Sequence, residues 1–511
     1  MEIFMKLNYK RTILVGFAFF LISAFWQAYD AIIPLILNNH FGLADVVSGA
    51  VMSLDNVLAV FMLPVFGALS DRVATRFGKR TPFIVVGTVA AVLAFILLIV
   101  VDISQLGALA DAGIISSYNE LHEIELGLKE ALESARKAND TALVASLESE
   151  IAALAHAFSD ITARVLEYTL SNVWTLVGFI AVLLLVLIAM ATFRSPAVAL
   201  MPDVTIKPLR SKGNAIINLM GTAGGISVLV LGMIFKTSSN LYMSYIWYVI
   251  AVCIIMLVGL CIFLTTVREP LWAKEMAEDT VKYGIEENID DSAPAKARAL
   301  SRGELKSLLL ILASVALWYI GYNSITSKYS VYSTNVLGFD FNATLIIAQA
   351  AAVIAYIPVG IVASKIGRKK TILAGIIMLT SAFFIGNFIT PTTPEFVMAP
   401  VFILAGIGWA TINVNSFPMV VELAKGGEVG KYTGYYYTAS MAAQIVAPIL
   451  SGALYDLFDL FTNNNGMRVV FFAFGTIFVA LSFVTMFFVK HGDAKPEAQG
   501  ALEALAGGED D

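Results

Sequence analysis

Apolar residues run through this chain in long blocks separated by short polar gaps. The blocks fall at 12–37, 46–69, 82–101, 173–193, 213–235, 244–267, 307–336, 341–363, 370–390, 396–421, 432–455 and 467–489. A helix needs roughly 20 apolar residues, at about 1.5 Å each, to cross the hydrocarbon core of a bilayer. The pattern therefore predicts an all-α membrane protein with 12 transmembrane spans. Two polar stretches interrupt it, 102–172 between spans 3 and 4 and 268–305 between spans 6 and 7.

Composition agrees with that reading. The chain has 511 residues, 58% of them hydrophobic and 14% charged, with a mean hydropathy of +0.79. A soluble domain of this size would have no way to cover so much apolar surface. The predicted organisation is a six-helix half at 1–267, a linker at 268–305, a second half at 306–490 and a disordered tail at 491–511. The basic segment Met1–Arg11 leads into a retained first span, because no small-residue cleavage site follows a short apolar core. Twelve spans put both termini on one side. Taking that side as the cytoplasm places 26 of the 33 Lys and Arg residues there, as the positive-inside rule requires. The expected location is the cell membrane, multi-pass, with both termini cytoplasmic.

The segment 102–172 carries 12 acidic and four basic residues. Leu121, Ile124, Leu128 and Leu132 recur at helical spacing, as do Leu143, Leu147, Ile151, Leu154, Phe158, Ile161 and Val165. Residues 137–141 read as the turn of a helical hairpin outside the membrane. It is either a self-packing extension of spans 3 and 4 or an arm for docking or oligomerisation.

Several chemistries are excluded by what the sequence lacks. There is no phosphate-binding loop, metal-spaced His/Cys cluster or nucleophile elbow, and only four histidines are present. Neither ATP-driven pumping nor enzymatic hydrolysis is expected, and no cofactor, metal or nucleic-acid partner. Cys253 and Cys261 share one apolar run and read as small core or lipid-facing residues.

Charges within spans are costly and mark function by default. Asp30 follows Trp26, Gln27 and Tyr29 in span 1, Asp55 and Asn56 sit in span 2, and Lys328 lies far along span 7. Asp55 is 12 residues before Gly67, about 18 Å along a helix. Asp30, Asp55 and Lys328 are the candidates for proton coupling, with Lys328 expected to pair with one of the two acids across the halves. Amides can satisfy both donors and acceptors of a hydroxylated solute. Span 7 carries Tyr322 and Asn323, span 10 Trp409 and Asn413, and span 11 Tyr436 and Gln444. With Trp26, Gln27, Tyr29 and Asn56 these are the candidate substrate-binding residues. Individual ones can equally be interhelical bridges or interfacial aromatics.

The gap between spans 2 and 3 reads Gly67-Ala-Leu-Ser-Asp-Arg-Val-Ala-Thr-Arg-Phe-Gly-Lys-Arg-Thr81, and the gap between spans 8 and 9 repeats its form as Gly360-Ile-Val-Ala-Ser-Lys-Ile-Gly-Arg-Lys-Lys-Thr371. Gly67 and Gly360 are 293 residues apart, and Ser364 replaces the acid of Asp71. This loop resembles that between helices 2 and 3 of the major facilitator superfamily. The resemblance implies two parallel six-helix repeats with substrate bound between them at the midplane. It also implies a cytoplasmic gate of Gly67, Asp71, Arg72, Arg76, Arg80, Arg194 and Glu422, stronger in the first half. Asp71 would cap the start of span 11 and pair with Arg72, Arg76 or Arg194.

Leu54-Asp-Asn-Val-Leu-Ala, Pro64 to Arg72, Arg76 to Phe83, Phe193 to Asp203 and Gly434-Tyr-Tyr-Tyr with Gln444 and Pro448 are similar to the sucrose-transporter-like branch, which is akin to the glycoside–pentoside–hexuronide cation symporters. That implies symport of a disaccharide or glycoside with a proton by a monomer in membrane lipid. An acid in span 4 and a base within span 5, expected in the plant members, are missing. An exporter of drugs or metabolites, or a non-transporting sensor using the insert, are the alternative readings.

Overall fold

The computed structural model describes residues 7–206, 209–282, 300–423, 429–462 and 465–491. Among the described residues 87% are helical and no strand occurs. Among the described residues eleven helices are long and apolar enough to cross a membrane, and α13 (Phe341–Ile366) adds a further apolar stretch over Phe341–Tyr356. The molecule has the major facilitator fold, two six-helix repeats side by side.

In the first half, α1 (Tyr9–Leu35) packs on α8 (Arg210–Ile234), and α4 (Thr81–Asp111) on α7 (Val173–Asp203). Span 2 is made of α2 (Asp45–Met52) and α3 (Leu54–Arg72), which meet at Ser53, and span 6 is α9 (Ile246–Thr266). In the second half, α11 (Arg302–Thr326) packs on α17 (Gly466–Phe487). There α14 (Arg368–Gly386) and α13 pack on α15 (Met398–Val421), and α16 (Val429–Thr462) on α11 and α17.

The elements depart from the apolar blocks in three places. Spans 3 and 4 overrun their blocks, α4 reaching Asp111 and α7 reaching Asp203. Between them α5 (Ile114–Lys137) and α6 (Thr141–Ser171) form an arm, with Asp140 capping the Leu143 N–H at 3.1 Å. Leu106, Leu109, Ile114, Tyr118, Ile161 and Val165 pack with Tyr242 at its base. Leu132, Ala135 and Leu147 close its far end, whereas Ile124 and Leu143, on the predicted stripe, face outward. Trp174 and Trp247 are 81% and 68% exposed at the starts of α7 and α9, as interfacial tryptophans are.

The second departure is in the linker. Span 6 ends at Thr266 and a new helix, α10 (Glu269–Lys282), starts at once. Pro270 falls in its first turn, where a missing N–H costs nothing. Residues 283–299 and the predicted tail from 492 lie outside the described residues. Third, spans 1 and 7 both finish in π turns, Ile36–His40 and Tyr332–Leu337, the latter after the short α12 (Tyr329–Val331). Each π turn is followed by a glycine at positive φ, Gly42 at 66° and Gly338 at 70°.

Candidate functional site

The two ends of the bundle differ, the arm marking one and the 73–80 loop the other. At the arm end Lys328 is fully buried, and its Nζ lies 2.9 Å from both Asp45 Oδ1 and Asn38 Oδ1. Asn38 Nδ2 donates to the same Asp45 oxygen at 2.8 Å. The expected pairing of Lys328 with Asp30 or Asp55 is therefore replaced by one with Asp45. The reason is depth. Asp45 opens α2 at the level of Lys328, while Asp55 is ten residues further along its span, about 15 Å.

Asp456 of α16 accepts the N–H groups of Asp45 and Val46 at 2.9 and 2.8 Å, so a carboxylate of the second half caps the N-terminus of α2 in the first. The two helices touch backbone to backbone. A Cβ on Gly49 would come 2.2 Å from Pro448 O, and one on Gly452 would come 2.4 Å from Asp45 O. Asn39 and Asn335 exchange amide hydrogen bonds of 3.3 and 2.6 Å. Ser238 Oγ donates to Asp340 at 3.1 Å, and Asn342 to Thr237 at 2.9 Å.

At mid-depth Asp30 is accessible and Asp55 half-buried, within electrostatic reach of one another and of the fully buried Tyr29. Asp55 Oδ1 accepts from the backbone and side-chain amides of Asn56 at 2.6 and 2.8 Å, so Asn56 is committed to its neighbour. The guanidinium of Arg194 lies 5.7 Å over the Trp26 ring, and its charge reaches Asp55. Arg194 was expected near Asp71. It sits nine residues before the loop-end Asp203 of α7, about 13 Å deeper, and joins the mid-depth group instead.

Gln349 Nε2 of α13 donates to Gln27 Oε1 at 2.7 Å, which ties the halves at this level. Ser330 Oγ donates to the Asp30 carbonyl at 3.4 Å. In the second half Tyr322 stacks face to face on Trp409, centroids 3.8 Å apart, and Tyr319 meets Trp409 edge-on at 5.5 Å. Asn323 donates to Tyr319 O within its own helix, and the buried Tyr436 shares a 3.0 Å bond with Ser416. Asn413 and Gln444 are half-buried. Trp26 Nε1, Tyr29 Oη, both side-chain polar atoms of Asn218 and Gln349 Oε1 are buried with no protein partner. A buried polar atom of that kind is costly unless something bonds to it. Gln349 was not among the sequence candidates, although a lone glutamine in an apolar run is a visible signal.

At the loop end Arg80 is almost buried. Its Nε donates to Asp203 Oδ2 at 2.7 Å, and its terminal nitrogens bond Asp71 and Ser70. Burial opposes the Arg80 charge, but Asp203 and Asp71 outweigh it and hold the group more firmly protonated than an ordinary arginine. Glu269, 3% exposed, accepts the N–H groups of Lys79, Arg80 and Thr81 at 2.6, 2.9 and 2.8 Å and the Thr81 hydroxyl at 2.7 Å. A carboxylate thus sits on the positive end of α4. Gly78, at φ 112°, lets the loop pass: a Cβ there would lie 2.2 Å from Glu269 Cδ.

Asp71 takes Arg80 as its partner, whereas Arg72 and Arg76 are exposed and Arg76 lies over Phe77. Gly67 lets α3 approach Ser195 of α7. Glu422 pairs with Arg368. The proposed cap of Asp71 on span 11 involves residues 424–428, outside the described residues.

Residues 341–507 match the family model described as Major Facilitator Superfamily, and residues 14–115 match that described as MFS/sugar transport protein. Among curated proteins the chain is similar to the MFS-type transporter ppzB of Metarhizium rileyi (strain RCEF 4871), 28% identical over 115 residues. That match covers 22% of this chain and 23% of the relative, so the chain spans about a quarter of that protein's length. Among solved structures it is similar to the inward open conformation of the xylose transporter XylE from E. coli. The TM-score is 0.57 at 14% identity, over 98% of this chain and 99% of that one. It is also similar to a bacterial homologue of the iron transporter ferroportin in its inward-facing state. There the TM-score is 0.59 at 11% identity, over 94% and 99% of the two chains. Likeness at such identity speaks for the fold alone, and the cargoes in those two names, xylose and iron, differ completely.

Proposed function

We propose that this major facilitator superfamily transporter is a secondary active symporter that carries a sugar, a disaccharide or glycoside, together with a proton by alternating access. In this reading it lies in the cell membrane as a monomer, with both termini and the 73–80 loop in the cytoplasm and the arm outside. The arm end is then the closed outer gate. Lys328, Asp45, Asn38 and Asp456 hold it shut, and Arg80, Asp71, Asp203 and Glu269 brace the first half at the inner face.

The observation that carries the reading is the pair of carboxylates Asp30 and Asp55, on adjacent spans at mid-depth beside the interface of the halves. Carboxylates inside spanning helices are costly and mark a proton or ion path by default. Protonation changes the charge facing Arg194 and with it the balance between the two halves. Sugar is favoured by the match of 14–115 to a sugar-transport family model, by the Tyr322–Trp409 wall, and by unpartnered amide, indole and phenol groups that suit hydroxyls. Asn218 and Gln349 join the candidate binding residues on that ground.

The test is uptake of radiolabelled sucrose and maltose into proteoliposomes, with and without an inside-alkaline gradient. It compares wild type with Asp30→Asn and Asp55→Asn. Accumulation lost in the variants, with counterflow exchange retained, is the expected result. Failure of either sugar to enter under any gradient overturns the sugar assignment, and gradient-independent accumulation overturns the proton.

A further inference from the structure

The arm has no use in the reading above, and the contacts it makes are unusual. Spans 1 and 7 are repeat-related, and Asn39 and Asn335, like Gly42 and Gly338, are 296 residues apart. Both spans end in a π turn carrying one asparagine of the reciprocal pair, then a glycine at nearly the same positive φ. The backbones match, but what lies behind them does not.

Behind the span 1 end stand the arm and its roots. The His40 ring is fully buried, with Nδ1 2.6 Å from Asp102 Oδ1 and Nε2 3.1 Å from Leu241 O. Gln105 Nε2 of α4 donates to the His40 carbonyl and to Thr169 Oγ1 of α6, each at 3.1 Å. Tyr245 stacks on the imidazole at 5.7 Å. Gly42 rests on the backbone of α6: a Cβ there would lie 2.8 Å from Leu166 N and 3.2 Å from Thr162 O. The segment is thus bonded through one ring, one carbonyl and a backbone contact to groups that belong to or root the arm. The His40–Asp102 and Gln105 bonds are buried, so parting them leaves several polar atoms unpaired at once.

Behind the span 7 end the backing is largely aromatic, with one buried polar tie, Tyr329 Oη to Thr344 Oγ1 at 2.7 Å, before the π turn. Tyr332 stacks flat on Phe471 at 4.1 Å and meets Phe472 edge-on. No atom of another part of the chain lies within 4 Å of a Cβ built on Gly338, and Asn335 is exposed. Flat stacked rings can slide without leaving a polar group unpaired.

We infer that the arm is a splint. It fixes the span 1 end with Asn38 and Asn39 in place, so the outer gate opens by withdrawal of the span 7 end, not by symmetric parting. His40, Asp102 and Gln105 are positioning residues for Asn38 and Asn39. The inference rests on the alternating-access reading only in supposing that this end opens.

Hydrogen–deuterium exchange of the full chain in lipid nanodiscs tests it, with no solute or gradient. Lys328→Met removes the clamp on Asp45. Exchange is expected to rise at 332–339 by on the order of tenfold, while 36–43 stays at the wild-type rate. Asp102→Ala in the otherwise native chain is expected to raise 36–43 by a similar factor. Asp102→Asn, whose amide oxygen can still accept from the ring, restores the wild-type rate. Gln105→Ala, a milder cut, gives a smaller rise in the same segment should Asp102→Ala not fold. An equal rise in both segments with Lys328→Met overturns the splint, as does an unchanged 36–43 in both Asp102→Ala and Gln105→Ala. Sugar uptake is not read, so failure of the sugar assignment leaves these outcomes intact.

Discussion

The two halves bend the chain in the same way after spans 2 and 8, yet they secure the bend by different chemistry. In the first, Gly78-Lys-Arg-Thr81 is held by carboxylates: Arg80 between Asp71 and Asp203, and the N–H groups of 79–81 on Glu269 from beyond span 6. In the second, Gly367-Arg-Lys-Lys-Thr371 has Arg368 on Glu422, while Lys369, which corresponds to Arg80, donates to the carbonyls of Phe487 and Val489 at 2.8 and 2.6 Å. In both cases the end of the sixth span of a half is tied to the start of its third. What differs is the currency, a buried carboxylate gathering four donors against a lysine on the last carbonyls of a helix. The repeat therefore conserves a path and a tie while leaving their strength free to diverge.

Glu269→Ala should show the largest effect. It leaves three N–H groups and a hydroxyl without their acceptor, and buried orphans cost about 1–3 kcal/mol each, non-additively. We expect a loss of about 3–5 kcal/mol, seen as a fall in thermal unfolding temperature of the detergent-solubilised protein. Lys369→Ala, its counterpart, should cost about 1 kcal/mol or less, because helix-end carbonyls are reachable by water. Equal losses would break the contrast. Lys328→Met comes next. Removing one partner of a buried ion pair typically costs about 3–5 kcal/mol, and less here because Asn38 and the remaining exposure of Asp45 soften the loss. Its signature is regional: a cysteine at the buried Ser333 should gain thiol reactivity, while one at Arg72 should not.

Gly49→Ala follows at about 2 kcal/mol, since its methyl would meet the Pro448 carbonyl of the rigid facing helix. Gly434→Ala, with no atom within 4 Å of the new Cβ, should stay within about 0.5 kcal/mol. Thermal unfolding of the two variants side by side decides it: helix propensity favours alanine at both sites, so a Gly49→Ala as stable as Gly434→Ala would show that contact does not govern these glycines.

Much of this was legible along the chain. The spans, the repeat at 67–81 and 360–371, and the mid-depth acids each write themselves in a single stretch. Asp71 and Arg80 flank one loop, yet the expected partners of Asp71 are Arg72, Arg76 or Arg194, and the arginine it takes is Arg80. What the chain concealed are the ties between distant stretches. Glu269 looked like the end of a span because Arg268-Glu-Pro270 is a polar break, and nothing local says that its carboxylate faces residues 79–81. Asp45 stands one residue before the apolar block 46–69, whereas the charges within spans that mark a partner for Lys328 are the deeper Asp30 and Asp55. His40 and Asp102 bound a block and a polar stretch, and only the overrun of α4 past residue 101 brings them together.

The cleanest comparison of the halves sets two glycines side by side. Gly42 and Gly338 share a left-handed φ, so an alanine at either pays the same backbone strain, about 1 kcal/mol. Their backbone costs therefore cancel in the difference between the two variants. What remains is the environment of the added methyl: the Leu166 backbone of the arm for Gly42→Ala, open space for Gly338→Ala. Overpacking against backbone costs about 1–3 kcal/mol, so Gly42→Ala should be the less stable by about that much in thermal unfolding. Because α6 is anchored through Thr169 and Val165 as well as Leu166, it has little room to yield. If the two variants unfold together, the arm gives way to a single methyl and is too loosely seated to act as a splint.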